Sequence, residues 1–500
     1  MSSSIRPMES TDSLPLLSDA LSPDFPANLS EALKAPTYDR SALARSIVHI
    51  GVGGFHRAHL AVYVDELCRA GNTDWAIVGT GVMPGDSAMK DALSGQDHLY
   101  TVVERSAEGH DATIIGSMID FIHAHPDAAG LIDAIAAPET QIVSMTVTEG
   151  GYPVDDATGD FDPDSPNAGP NSAFAAIIAG LTKRMNDGVG PVTILSCDNV
   201  MGNGDVAALA TKSMAAAASP ELSAWIEENV AFPNSMVDRI TPATTDSDRE
   251  WFADNIGIAD NWPVVCEPFI QWVIEDNYAG ARPPWETLDI IITEDVRPFE
   301  HMKLQLLNAG HSLLGFAAHL FEIELVHDGM ADPDVLAFVE AYLNREAKTS
   351  LHPVEGMDFD EYINILLERF ANPQVRDQIL RLAMDGTSRI PKFVLPTLRT
   401  HLATAGQPSL QPCSWQRGAR HCSARATPAT TSSSAPTQCS TKPKQLHKHQ
   451  SRTRQRSSTS RQPSMAFATT PTSSPSLWRR LPQFAQTACA QHSRPQCSNR

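Results

Sequence analysis

The sequence predicts an α/β domain, followed by a mainly α-helical domain and then by a disordered basic tail. Three observations predict this fold class. An apolar run leads into a glycine cluster at residues 51–54, then into a helical pattern and a second apolar run, which is typical of a βαβ unit. Apolar residues recur at helical spacing after about residue 285. The composition changes near residue 405.

The elements of the first domain follow from these patterns. The first strand is predicted at residues 47–50, the helix after the glycine turn at 58–70 and the second strand at 75–79. The runs at 142–148 and 192–197 are continuously apolar or β-branched, as expected of buried parallel strands. The remaining predictions are a strand at 100–104 and helices at 172–185, 206–217, 300–321, 334–344, 359–370 and 373–384.

Composition limits the classes of protein to which the chain can belong. Of its 500 residues, 42% are hydrophobic, which is enough for a sizeable core, and no run of 18 apolar residues predicts a membrane span. The N-terminus lacks the apolar stretch of a secretory signal, and Cys68, Cys197 and Cys266 are far apart. We therefore expect a reduced, cytoplasmic enzyme without a zinc motif, and no membrane partner.

The charge is divided unevenly along the chain. Residues 407–500 contain 14 Lys plus Arg and no acidic residue, so they carry +14, and the total of −21 leaves −35 on residues 1–406. Such an acidic body is poorly suited to nucleic acid. The tail has no apolar periodicity and is predicted to be disordered. It is either a basic segment for an anionic partner or a stretch read out of frame, and its lack of acidic residues favours the second interpretation.

The glycine turn is the first candidate site. Gly51 and Gly53 directly follow a strand, where a backbone turn brings a pyrophosphate close to a helix N-terminus. His56 occupies the place of the usual third glycine. Asp86, after the second strand, is positioned to accept hydrogen bonds from the ribose of NAD. A simple tight turn and a helix N-cap near Ser87 are the respective alternatives.

Polar residues that follow a later strand form a second candidate site. Asn199, in the loop after residues 192–197, lies where ligands bind in open α/β sheets, and its amide is suited to a carbonyl or alkoxide oxygen. An Asx-turn is the alternative. Cys197 is predicted to be buried rather than reactive. Arg381 and Arg389 are candidates for holding hydroxyls or a carboxylate, with surface ion pairs as the alternative.

The segment from Glu300 to His311 is the most informative in the chain. In a regular helix Asn308 and His311 share a face, whereas Lys303 lies about 140° from Asn308 and about 80° from His311, so that all three can line one pocket wall. A buried lysine loses part of its preference for the charged form, which suits proton transfer. An ordinary amphipathic helix with a solvated lysine is the alternative.

Together these segments resemble one known family. The residues 51–59 (GVGGFHRAH), Cys197-Asp198-Asn199, the polar stretch 234–242 and the Lys303-x4-Asn308-x2-His311 motif occur in the order and spacing of the polyol-specific long-chain dehydrogenases. The similarity runs from about residue 47 to about residue 405. It implies an N-terminal extension at 1–45, a Rossmann-type NAD-binding domain at 46–285, a helical substrate domain at 286–405 that lacks the family's last helices, and the tail at 406–500.

The resemblance also implies residue roles. Lys303 would be the general base, Asn199 and Asn308 would stabilise the oxyanion, His311 would orient the substrate, and Glu300 would line the proton's route to water. Substrate hydroxyls would contact Asp238, Arg381 and Arg389. The cofactor would contact Gly51, Gly53, Gly54, Phe55 and Asp86.

The implied reaction is the NAD-dependent, metal-independent oxidation of D-mannitol at C2 to D-fructose and its reverse, carried out by a monomer. A dehydrogenase for arabinitol, sorbitol or mannonate is one alternative. An inactive product, or a binding protein with a basic tail, is another. The replaced C-terminus leads us to expect lower stability or activity than in a complete relative, with apolar faces of the helices at 300–321 and 359–370 left without partners.

Overall fold

The computed structural model describes residues 14–21, 33–155, 158–384 and 386–404. The predicted tail at 406–500 and much of the predicted N-terminal extension lie outside these residues. Within the described residues, no helix is both long enough and apolar enough to cross a membrane.

A six-stranded parallel sheet forms the centre of the first domain. Its order is β5-β2-β1-β6-β7-β8, with every neighbouring pair parallel. In the described residues the strands are β1 Ile47–Ile50, β2 Ile77–Gly81, β3 Tyr100–Ser106, β4 Gly109–Ile115, β5 Met118–His123, β6 Ile142–Met145, β7 Val192–Ser196, β8 Val230–Ala231, β9 Ser235–Asp238, β10 Val264–Cys266, β11 Gln271–Glu275 and β12 Ile291–Thr293.

The strand order places the site. The chain crosses from β1 to β2 in one direction along the sheet, and β6 then lies on the other side of β1. Ligands of open parallel sheets bind at such a switch point, outside the carboxyl ends of the strands. The glycine turn follows β1 and the Asn199 loop follows β7, so both candidate segments are at this edge. The predicted βαβ unit and the two buried parallel strands are confirmed.

Two three-stranded sheets accompany the main sheet. One has the order β10-β3-β4 and the other β12-β11-β9. Strand β9 ends at Asp238, and Glu267 directly follows β10. These two short strands thereby bring buried carboxylates toward the second domain.

Helices pack on the main sheet and make up the second domain. The α-helices of the described residues are Gly54–Ala58, Leu60–Arg69, Ser87–Ser94, Ala129–Ala136, Ala173–Asn186, Asn203–Ala218, Pro220–Asn229, Asp246–Ile256, Arg297–Lys303, Ala309–Leu320, Val326–Ala331, Pro333–Ala341, Lys348–Ser350, Phe359–Ala371, Ile379–Ala383, Gly386–Arg389 and Leu395–Thr404. Three π turns, at Leu304–Asn308, Tyr342–Ala347 and Ile390–Val394, interrupt the helical domain.

Several predicted elements differ from the structure, and π turns occur within the helices predicted at 300–321 and 334–344. The helix predicted at 373–384 is wrong over its first half, since Arg376 has a positive φ of 53° and Gln378 forms a β-bridge with Leu325, which leaves only Ile379–Ala383 helical. The second strand begins at Ile77, two residues later than predicted, because pairing with β1 starts there.

Each domain has its own apolar core. Residues of β1, β2 and the helix Leu60–Arg69 form one cluster, and the long helices of the second domain form another. The expectation that the faces at 300–321 and 359–370 lack partners is wrong for most of their length, because Leu306, Leu314 and Leu366 are fully buried. Leu320, at the end of the first of these helices, is exposed, as are Leu380 and Leu402.

Candidate active site

Lys303 ends the helix Arg297–Lys303, and only 7% of its surface is exposed. Its Nζ donates hydrogen bonds to Asn199 Oδ1 at 2.6 Å and to the backbone carbonyl of Val237 at 2.7 Å. Burial disfavours the ammonium form and lowers the pKa of Lys303, while the Asp238 carboxylate opposes this shift. The predicted solvated lysine of an ordinary amphipathic helix is therefore excluded.

The chain after Lys303 is not a regular helix. Leu304–Asn308 is a π turn, in which hydrogen bonds join residues five apart. Because five residues separate Lys303 from Asn308, the π turn brings them toward the same side, and the predicted angle of about 140° is wrong. Asn308 is 6% exposed, and none of the described residues donates a hydrogen bond to its Oδ1.

The loop after β7 presents Asn199. This residue is exposed, and its Oδ1 accepts the lysine hydrogen bond. With Oδ1 bonded to Lys303, the NH₂ group supplies the donors of the Asn199 amide.

Asp198 fixes this loop. Its carboxylate accepts hydrogen bonds from the backbone N–H of Thr148 at 2.7 Å, from the N–H of Val147 at 3.1 Å and from the Tyr152 hydroxyl at 2.8 Å. This carboxylate ties the end of β7 to the segment that follows β6. The backbone that carries Asn199 is consequently held in place by the hydrogen bonds of its neighbour Asp198. The Asx-turn alternative for Asn199 does not describe its side chain, since its Oδ1 accepts from Lys303.

Glu300 lies one helical turn before Lys303. Its Oε1 accepts a hydrogen bond from the Gly202 N–H at 2.9 Å, and among the described residues its buried Oε2 has no partner. Burial raises the pKa of Glu300 to about 7. A cavity of about 20 Å³ borders Glu300, Lys303 and Asn199, which is room for one water molecule.

His311 is buried one turn beyond Asn308. Its ring stacks on Phe370 with centroids 4.7 Å apart, and its Nε2 lies 3.5 Å from Asp377 Oδ2. Burial lowers the pKa of His311 to about 3, so the imidazole is neutral. Asp377 also accepts hydrogen bonds from Arg381 Nε at 2.7 Å and from Arg381 Nη2 at 2.5 Å.

The two predicted arginines differ in their surroundings. Arg381 forms the ion pair with Asp377 while half of its side chain remains exposed, as in the ion-pair alternative. The Arg389 guanidinium lies 5.7 Å from the Phe393 ring centre, at the start of a π turn. Arg381 is linked to His311 through Asp377, which contacts both side chains.

Asp238 is buried and held by a residue that the sequence analysis did not single out. Arg369 donates from Nη1 and Nη2 to the two oxygens of Asp238 at 3.0 and 2.9 Å. Burial by itself would raise the pKa of Asp238, but the guanidinium outweighs it and the pKa is lowered. Asp238 is thus a fixed carboxylate.

The glycine turn combines one tightly packed glycine with one that has open space beside it. Gly51 has a φ of +89°, and a Cβ there would lie 2.4 Å from the Thr146 carbonyl oxygen. Around Gly53, in contrast, a Cβ would meet nothing closer than 3.9 Å, which leaves open space beside the backbone. Gly54 begins the next helix, and the Phe55 ring stacks on His59 at 4.9 Å.

The missing third glycine is replaced by an aromatic contact. His56 is 1% exposed and stacks on His49 of β1 with centroids 3.4 Å apart. The third glycine of the usual fingerprint serves close packing of helix on strand. Here the imidazole pair makes that contact, so the departure from the motif is compatible with a dinucleotide turn.

Asp86 lies at the carboxyl end of β2. A Cβ on Gly81 would meet the Asp86 Cβ at 2.4 Å, so a glycine at 81 lets the acid pack over the strand end. Its Oδ2 accepts a hydrogen bond from the Met83 N–H at 2.8 Å, and it makes no cap bond to the helix Ser87–Ser94. The half-buried carboxylate therefore caps the short turn at Pro84–Asp86 rather than the helix Ser87–Ser94.

The described residues offer no group of three or more His, Cys, Asp or Glu side chains arranged to hold a metal ion. Cys197 is 2% exposed, and burial raises the pKa of its thiol, in agreement with the predicted buried cysteine.

Comparison with known proteins identifies the family. The mannitol dehydrogenase Rossmann domain matches residues 45–287, and the mannitol dehydrogenase C-terminal domain matches residues 295–414. The chain belongs to the mannitol dehydrogenase family.

Relatives and solved structures agree with this membership. The chain is 44% identical over 390 residues to a Neosartorya fischeri mannitol 2-dehydrogenase (75% of this chain, 78% of the relative) and 45% identical over 389 residues to that of Cereibacter sphaeroides (76% and 81%). The Pseudomonas fluorescens mannitol 2-dehydrogenase ternary complex with NAD and D-mannitol matches with a TM-score of 0.71 and 41% identity (76% of this chain, 80% of that chain). A substrate-free D-sorbitol dehydrogenase matches with a TM-score of 0.69 and 37% identity (76% and 80%). The resemblance and the fold class are confirmed over the described residues.

The sequence analysis missed several residues of this mannitol dehydrogenase family site. Arg369, Glu267 and Asp377 are buried next to the predicted residues. Arg369 carried a signal, because it lies on the apolar face of its helix with Leu366 and Phe370. A charged residue on a buried face requires a buried partner. Asp377 gave no such signal, since it follows an irregular segment.

Proposed function

We propose that the protein is a mannitol 2-dehydrogenase that oxidises D-mannitol at C2 to D-fructose and catalyses the reverse reduction, with Lys303 as general base and without a metal. The enzyme is an NAD-dependent polyol dehydrogenase. The choice of mannitol rests on the relatives named above, including one whose structure contains NAD and D-mannitol.

The observation that carries the mechanism is the bonding of Lys303. A neutral amine has two N–H bonds and one lone pair. Lys303 Nζ has two neutral acceptors, Asn199 Oδ1 and the Val237 carbonyl, which are matched by two N–H bonds. The lone pair is left for a proton, and burial, which lowers the pKa of Lys303, favours this neutral form.

The glycine turn and Asp86 would hold the cofactor. Open space at Gly53 fits a pyrophosphate, and the Asp86 carboxylate fits a ribose diol and repels a 2′-phosphate. NAD held there would supply the acceptor for the hydride from C2.

The remaining residues complete the proton and charge balance. The C2 hydroxyl loses its proton to Lys303 as the C2–H bond breaks. Negative charge that develops on oxygen is stabilised by N–H donors of Asn199 and Asn308 and by the new ammonium. These groups supply the stabilisation that a metal would otherwise give. Glu300, with a pKa of about 7 beside a water-sized cavity, takes the proton onward.

His311 and the residues around it would bind the rest of the polyol. The neutral imidazole is held against Phe370. Arg381 and Arg389 would donate to hydroxyls, whereas Asp238 is 2% exposed and already bonded by Arg369, so its expected contact with the polyol is not part of this proposal. A hexonate such as mannonate would have to pair its carboxylate with Arg389, because the Arg381 charge is already paired with Asp377. Sorbitol is the second candidate, because of the likeness to a D-sorbitol dehydrogenase.

The experiment is NADH formation at 340 nm with D-mannitol, D-sorbitol, D-arabinitol and D-mannonate. We expect the highest kcat/KM with mannitol and loss of turnover in Lys303→Ala. Lys183→Ala is the matched control, since this lysine is exposed and forms a surface ion pair with Asp187. Turnover of Lys303→Ala at the control's rate contradicts the lysine mechanism. A higher kcat/KM for another substrate contradicts the choice of mannitol.

A further inference from the structure

A buried ion cluster joins the two domains beside the site. Arg369, on the helix Phe359–Ala371, binds Asp238 through two nitrogens, and it also binds Glu267 through Nε at 2.8 Å and Nη2 at 2.7 Å. All three side chains are nearly inaccessible. One helical-domain guanidinium thus spans two carboxylates of the first domain, in the bidentate geometry that arginine favours.

This cluster reaches Lys303 through the backbone. Asp238 is the residue next to Val237, whose carbonyl accepts a lysine N–H at 2.7 Å. A clamp on the Asp238 side chain therefore fixes the direction of the neighbouring carbonyl. If the Asp238 side chain were free to move, one of the two acceptors of the amine would move with it.

The cluster also acts on Lys303 by charge. The charged groups that influence Lys303 are Asp238, Glu300 and Glu149, which favour the ammonium, and Arg369, which opposes it. His59 also lies within electrostatic range, but burial keeps its imidazole neutral by lowering its pKa to about 3. Without Arg369, the Asp238 carboxylate would act on the lysine unopposed.

We propose that Arg369 is a positioning residue for the reaction: by clamping Asp238 and Glu267 it aims the Val237 carbonyl at Lys303 and cancels the Asp238 charge there. The inference rests on the proposed role of Lys303 as base. It goes further by assigning a residue of the helical domain to the control of that base.

The test is the pH dependence of kcat/KM for mannitol oxidation. Its acid limb reports protonation of the base in the free enzyme. In Arg369→Gln the acid limb should move to higher pH by about one unit, because the positive charge that opposes the ammonium of Lys303 is gone. At any fixed pH on the acid limb, kcat/KM should then be about tenfold lower. In Arg369→Lys, which keeps the charge, the limb should stay near its original pH, even if KM rises through loss of the bidentate contact.

Asp238→Asn tests the same coupling with the opposite sign. It leaves the arginine charge unopposed near Lys303, so the acid limb should move to lower pH. This variant retains the Arg369–Glu267 pair. If Arg369→Gln does not fold, Asp238→Asn alone tests whether the ion cluster sets the pH dependence of Lys303. A ¹³C NMR titration of ε-labelled lysine, assigned with Lys303→Ala, should show the same two directions without any turnover.

The outcomes separate the two proposals. If Lys303→Ala keeps both turnover and the acid limb, the proposed base is wrong. If the limb depends on Lys303 but stays in place in Asp238→Asn and in folded Arg369→Gln, only the positioning role of Arg369 is overturned. A change of melting temperature alone, with an unmoved limb, likewise shows a purely structural arginine.

Discussion

Replacing Gly51 by alanine tests whether the glycine turn is built as the structure shows. The residue has a φ of +89°, which costs a non-glycine residue about 1–2 kcal/mol. Its new Cβ would lie 2.4 Å from the Thr146 carbonyl oxygen, so β1 and the chain after β6 must move apart. Such overpacking costs about 1–3 kcal/mol. Together these two effects should lower the free energy of unfolding by about 2–5 kcal/mol. The melting temperature should then fall by on the order of 5–15 °C.

Gly53→Ala is the matched control. Gly53 has a φ of −123°, which any residue adopts, and a Cβ there meets nothing within 3.9 Å. We expect an unchanged melting temperature but weaker NADH binding, because the methyl group occupies the space that a pyrophosphate would use. Thermal melts and fluorescence titration with NADH measure the two effects. Equal melting temperatures for Gly51→Ala and the unmutated protein would refute the strain argument, and unchanged NADH affinity in Gly53→Ala would refute pyrophosphate binding beside Gly53.

Three further outcomes are expected. Asn308→Ala should lower kcat about 100- to 1000-fold with a small change in KM, because it removes one donor to the oxyanion. Steady-state kinetics measures both constants, and an unchanged kcat would exclude Asn308 from the mechanism. Glu300 has a pKa of about 7 when folded against an ordinary 4.5, so its protonated form stabilises the fold at low pH, and this contribution is lost as pH rises from 4.5 to 7. Glu300→Gln should therefore gain stability relative to the unmutated protein over that range, by up to about 3 kcal/mol, in urea unfolding at several pH values; a difference that does not change with pH would contradict the shift. Asp377→Asn releases both Arg381 and the His311 contact, so KM for mannitol should rise more than kcat falls, and a selective loss of kcat would point instead to a role in the chemistry.

Much of the fold could be predicted because its signals are local. The strand at Ile47–Ile50, the glycine turn and the parallel runs at β6 and β7 lie where continuous apolar stretches and turn residues place them. The start of β2 could not be predicted to the residue, because pairing with β1 and β5 sets it. The first half of the helix predicted at 373–384 does not form, because Gln378 forms a β-bridge with Leu325. This is a tertiary contact, which the local sequence does not reveal.

The candidate site was predicted as a set of residues but not as a geometry. Spacing indicated that Lys303, Asn308 and His311 are related, yet a regular helix was assumed where the structure has a π turn. Nothing local predicts a π turn, since it depends on the packing of the surrounding helices. The partners of Asp238 and His311 come from distant segments, so only the buried arginine at 369 could have been noticed in advance.

The central claim is that the Lys303 amine accepts the substrate proton. Chemical rescue tests it most directly: Lys303→Ala is assayed for mannitol oxidation with increasing methylamine at several pH values. The account predicts an inactive variant whose turnover rises with the concentration of neutral methylamine and therefore with pH. Turnover near that of the unmutated enzyme without added amine would contradict it.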